Sequence, residues 1–175
     1  MATDAGHSGR TNEDFAGAVA SGMVLVDGAG GIAGAEKVCR HGVTWYATRL
    51  GGALLAGLAQ DRSLRHVLAE GIARITDEHR DTCDVAHSIS PHAAVAMLRF
   101  SGGLVEHLVL GDAVVVVGQV GAEPFVARDP REVVIARSFE ARLKSIPEGS
   151  DEYQRLLLEL RAHRNNPGGF WVAKG

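Results

Sequence analysis

The order of hydrophobic and polar positions divides the chain into stretches of strand and helix periodicity. Residues 15–20 and 22–26 are apolar runs of strand length joined at Ser21-Gly22, which predicts a hairpin. The second run, Met23-Val24-Leu25-Val26, stops at Asp27, and Gly28-Ala29-Gly30-Gly31 follow. A buried strand delivers a carboxylate to its exposed end in this way, and the glycines let the backbone turn sharply beside it. Residues 32–40 are Ala-rich and open a short helix, and 41–46 have strand or loop character. Leu50, Leu54, Leu55 and Leu58 form an i, i+4, i+5, i+8 stripe that predicts a helix over 47–60. Asp61-Arg62-Ser63 offers an N-cap for a second helix from Leu64 to about Thr82, with Val67, Leu68, Ile72 and Ile75 on its apolar side. These two helices are expected to cover one face of a sheet.

Residues 92–100 read as a strand, Ser101-Gly102-Gly103 as a hairpin turn, and Leu104–Leu110 as the partner strand. After Gly111-Asp112 the valine run 113–118 predicts a third, buried strand, and Phe125-Val126-Ala127 a fourth. Turns this short require an antiparallel meander. The chain turns helical from Arg137. Ser150-Asp151-Glu152 caps a last helix to about Arg164, Asn165–Gly169 ends it, and Phe170–Ala173 is a final strand-like fragment. Helices, a meander and helices again define an α+β class.

At 175 residues the chain can bury a sizeable core as a single domain, 1–175. A net charge of −3 with 22% charged and 46% hydrophobic residues is an ordinary globular composition. The absence of a basic stripe argues against nucleic acid, and no apolar run is long enough to span a membrane. The N-terminus carries no secretory pattern, so a cytoplasmic location is expected. Cys39 and Cys83, expected on helices without Cys-x-x-Cys spacing, fit reduced core residues better than a disulfide or a zinc site.

Asn12-Glu13-Asp14 places two acids upstream of Asp27, and pairing of the first two strands brings Glu13 or Asp14 beside it. Clustered carboxylates repel unless a cation lies between them, and hard oxygen ligands suit Mg²⁺ or Mn²⁺. Taken together, Arg10…Asn12-Glu13-Asp14 and Asp27-Gly28-Ala29-Gly30-Gly31 resemble the type-2C (PPM-like) family of metal-dependent Ser/Thr protein phosphatases. Ser90-Pro91-His92-Ala93-Ala94 and Gly111-Asp112-Ala113-Val114 resemble that family's middle signature in spacing and strand pattern more than in identity. The resemblance covers about residues 3–128.

It implies two packed antiparallel β-sheets flanked by helices, an α-β-β-α sandwich with the metal centre at one edge, shortened at its C-terminal end. In that centre Asp27 would bridge two Mn²⁺ or Mg²⁺ ions, with the Gly28 carbonyl as a further ligand and Glu13 on one ion. Asp14 would orient the attacking water, Asp112 would hold waters on an auxiliary ion, and Arg10 would bind phosphate. The implied substrate is a phosphoprotein or a small phosphate ester.

Two departures stand out. The family's phosphate-binding arginine falls at Gly9, one residue before Arg10, and a one-residue slip on a strand reverses the side chain's face. No Asp-Gly follows Asp27-Gly28 and no Asp-Asn occurs, so two late ligand motifs are missing and the two-metal centre is expected to be at most partly filled. Three readings remain: a shortened phosphatase, a minimal relative using other acids or a second subunit, and a catalytically silent pseudophosphatase serving as a protein-binding module. The eight histidines make no His-x-x-x-His pair, and no serine elbow or phosphate loop is present. Arg128, Arg131 and Arg137 read as a solvated rim.

Overall fold

The computed structural model describes residues 3–5, 9, 11–30 and 34–175. Strands β1 (Asp14–Val19) and β2 (Gly22–Ala29) form the expected hairpin, with Asp14 opposite Asp27 and Val19 opposite Gly22. β2 continues through Asp27 to Ala29, so this aspartate lies within the paired strand and not beyond its end. Its side chains alternate: Val24, Val26 and Gly28 are buried, while Met23, Leu25 and Asp27 point the other way.

A single turn, α1 (Ala35–Val38), precedes α2 (Gly42–Gly57) and α3 (Leu64–His79). Residues 42–46, expected as strand or loop, are helical. Tyr46, Leu50 and Leu54 continue one i, i+4 stripe, all fully buried, and that packing overrides the weak helix preference of Val43, Thr44 and Trp45. Ser63 caps α3, its hydroxyl accepting the His66 N–H at 3.3 Å. Neither cysteine is helical: Cys39 follows α1, Cys83 follows α3, and the two face each other in an isolated antiparallel bridge.

β3 (His92–Ser101) pairs with β2 and with β4 (Leu104–Leu110), giving the order β1-β2-β3-β4, all antiparallel. The predicted meander ends there. β5 (Val114–Gln119) and β6 (Ala122–Arg128) pair only with each other, as a second, two-stranded sheet. Gly111 at φ +72° reverses the chain between β4 and β5, and a side chain there would meet the Ala94 Cβ at 2.9 Å. The valine run is half-buried: Val115 packs inward while Val114 and Val116 are exposed. Helix α4 (Arg131–Ser145) begins six residues before the expected Arg137, with Pro130 at its N-cap and the Asp129 carboxylate accepting the Arg131 N–H at 3.0 Å in the turn just before it. Helix α5 (Asp151–Arg161) is capped by Ser150, and β7 (Ala173–Lys174) closes onto the start of β3.

Two apolar layers result. Val24, Val26, Val95 and Met97 on one sheet face meet Tyr46, Leu50, Leu54, Leu58, Val67 and Ile75 of α2 and α3, the main core. On the opposite face Ala94 and Ala96 meet Ala113, Val115 and Ala127, a thinner cluster. The structure is thus α+β with antiparallel sheets and helices. Among the described residues no helix is long and apolar enough to cross a membrane.

Candidate metal centre

Pairing alone brings three of the expected residues together. Asp14 and Asp27 are direct partners across β1 and β2, so their side chains leave the sheet on the same face. Ala94 of β3 is the next residue in that row, and the Gly111 turn lies against it, which sets Asp112 beside Asp27. Gly28 pairs upstream too: its N–H donates to the Glu13 carbonyl at 3.2 Å. A Cβ at Gly28 would run into that carbonyl and into Val43 of α2.

Asn12 fixes the approach to β1. Its side-chain oxygen accepts the Asp14 N–H at 2.9 Å, its amide donates to Thr3 Oγ1 at 2.7 Å, and its carbonyl accepts from Thr44 Oγ1 of α2 at 3.1 Å. The acids therefore sit on a segment anchored at three points. Arg10 lies outside the described residues.

The electrostatics are those of carboxylates crowded on one face. Asp27 is pushed up to about 6, mainly by burial, then by Asp14 and Asp112 and by its closeness to the Asp14 carboxyl, with Glu13 adding the least. Asp14, rather than Glu13, is thus the acid in immediate reach of Asp27. A further acid joins them: Glu132, in the first turn of α4, is pushed up to about 7 by burial and then by Asp112, with Asp27 and Asp129 adding smaller shares. Sequence reasoning missed Glu132. Its signal was Asp129-Pro130, which starts a helix and hence turns the third residue after Asp129 back toward the Gly111-Asp112 turn.

The opposing cation is Arg164, which attracts Glu132 and is itself held down to about 10 by burial and by Arg161. Its Nε and Nη1 have no hydrogen-bond partner among the described residues. Arg131 is committed to Asp129. Beside Asp112 and Glu132 opens a cleft of about 750 Å³ between α4 and α5, with Arg137, Lys144 and Tyr153 on its walls. Asp27 and Asp112 are exposed, and Asp14 and Glu132 are half-buried. Carboxylates are the ligand type of a hard divalent cation, but among the described residues no three of these acids bring their oxygens within 4.8 Å of one another. No family model, curated protein or solved structure matches the chain.

Proposed function

We propose that the chain is a type-2C-like phosphatase domain that hydrolyses phosphate esters of Ser or Thr with Mn²⁺ or Mg²⁺. The observation that carries this reading is the row Asp14, Asp27 and the Gly111-Asp112 turn, joined by Glu132. Four carboxylates from four separate chain segments converge here, Asp14 and Glu132 half-buried and Asp27 and Asp112 exposed, and among the described residues Arg164 offsets Glu132.

Asp27, Asp112, Glu13 and the Gly28 carbonyl are the groups that would hold the ions, and Glu132 is an acid in the position to stand in for the missing late aspartates. A divalent pair held there supplies charge for the phosphoryl oxygens and lowers the pKa of water. The chain's own part is positional. Asp14 is within hydrogen-bonding reach of Asp27 and can accept a proton from the attacking water at a carboxylate oxygen. Arg164, whose Nε and Nη1 are buried without a hydrogen-bond partner among the described residues, offsets the charge of Glu132. The cleft between α4 and α5 gives a phosphopeptide a path to Asp112 and Glu132, with Arg137 and Lys144 along it.

Hydrolysis of an aryl phosphate, followed with and without Mn²⁺, tests the reading. Expected is Mn²⁺-dependent turnover that Asp27→Asn abolishes and Glu132→Gln reduces by about 10²-fold, on the order expected for loss of a metal-supporting group. Absence of turnover together with absence of Mn²⁺ binding by calorimetry would leave the silent binding module in its place.

A further inference from the structure

Away from the acids, the segments flanking α2 and α3 bring a second set of ligand-type side chains together. Cys39 Sγ and Cys83 Sγ are 3.1 Å apart, and His41 Nδ1 is 3.3 Å from Cys83 Sγ. Among the described residues these are the three His, Cys, Asp or Glu side chains whose ligand atoms all fall within 4.8 Å of one another. The sulfurs are not bonded to each other.

Several features hold the set in place. Cys39 and Cys83 are antiparallel bridge partners, and the Asp84 N–H donates to the Val38 carbonyl at 2.9 Å beside them. The His41 ring stacks on Trp45 at 4.4 Å and 24°, so its Nδ1 is turned to the sulfurs by packing.

We propose that Cys39, His41 and Cys83 bind one Zn²⁺ ion. Tetrahedral zinc with Zn–S of about 2.3 Å and Zn–N of about 2.0–2.1 Å spans ligand edges of about 3.5–3.8 Å. To admit it the sulfurs would part by about 0.7 Å, and His41 Nδ1 would move about 0.2 Å from Cys83 Sγ. Cys39 is buried while Cys83 and His41 are half-buried, so the fourth position opens toward solvent and falls to water. Two thiolates and an imidazole select zinc over Mg²⁺ or Mn²⁺, whereas the carboxylate row has the reverse preference. The ion would clip the entry of α2 to the exit of α3 across 44 residues of chain. The sequence signal is Cys39-x-His41, which a search for Cys-x-x-Cys or His-x-x-x-His passes over.

The test is Co²⁺ titration of the reduced, chelator-treated chain, read by sulfur-to-cobalt charge-transfer absorption, with zinc content measured on protein purified without chelator. Expected is one equivalent of Co²⁺ with a thiolate band, displaced by Zn²⁺, lost in Cys83→Ser and weakened in His41→Asn. Asp27→Asn should leave the band unchanged, which separates this site from the acid row and lets either reading fail alone. Because Cys39 is buried, the partly exposed Cys83 and His41 carry the test, and circular dichroism confirms that both variants fold. A reduced chain with no thiolate band, or a Cys39–Cys83 disulfide in freshly purified protein with no zinc, overturns the proposal.

Discussion

A carboxylate crowded by other carboxylates makes Asp27 a liability to the fold before it is an asset to any reaction. Its folded pKa of about 6 exceeds the ordinary 3.8, and that of Glu132, about 7, exceeds 4.5. Between about pH 4 and 7 the folded chain therefore binds more protons than the unfolded one, and stability falls as pH rises through that window. A shift of two units is worth roughly 3 kcal/mol in full, but solvent screening at half-exposed groups reduces each to about 1 kcal/mol. In the absence of divalent cations, thermal melts should give a lower Tm at pH 8 than at pH 5. Asp27→Asn should flatten that dependence and raise the Tm at pH 8 while removing Mn²⁺-dependent turnover. A variant that lost turnover and also melted lower at pH 8 would contradict this picture of unbalanced charge.

At the level of elements, the β1–β2 hairpin is where local sequence and site geometry meet. Gly28 has no room for a side chain between the Glu13 carbonyl and Val43, so Gly28→Val should force β1, β2 and α2 apart. Overpacking of this kind costs about 1–3 kcal/mol, visible as an earlier urea midpoint. The hairpin, the Leu stripe of α2, the Ser63 and Ser150 caps and the β3–β4 turn were all legible in the sequence, because each depends on residues close in the chain. What was hidden depended on distant partners. Residues 42–46 carry β-branched and aromatic side chains, and only the buried sheet face opposite them makes a helix the better solution. The departure of β5 from the meander is equally non-local: Gly111 sends the chain across Ala94 into a second layer, and nothing in the valine run announces it. Of the acids, Glu13, Asp14 and Asp27 were read from their spacing and Asp112 from the resemblance to the type-2C family, while Glu132 and the Cys39–His41–Cys83 cluster needed the tertiary arrangement.

Across the whole molecule the two apolar layers are unequal. The core under α2 and α3 is built from large, fully buried side chains such as Tyr46, Leu50 and Leu54. The layer beneath β5 and β6 is mostly alanine and valine, and Val114, Val116, Phe125 and Val126 remain exposed above it. A two-stranded sheet has little stability of its own. Leu54→Ala should cost about 2–5 kcal/mol of global stability. Amide hydrogens of β5 and β6 should exchange by local opening, well before those of β2 and β3. Equal protection of the two sheets by hydrogen-exchange mass spectrometry would argue against this division.

Asp112 stands where the chain leaves the large sheet for the small one, so its carboxylate travels with the β5–β6 ribbon while Asp14 and Asp27 stay with the frame. If the acids hold a cation as proposed, the site also joins the two sheets. By linkage, whatever draws these carboxylates together also clamps the ribbon, and whatever grips the ribbon alters how tightly a cation is held.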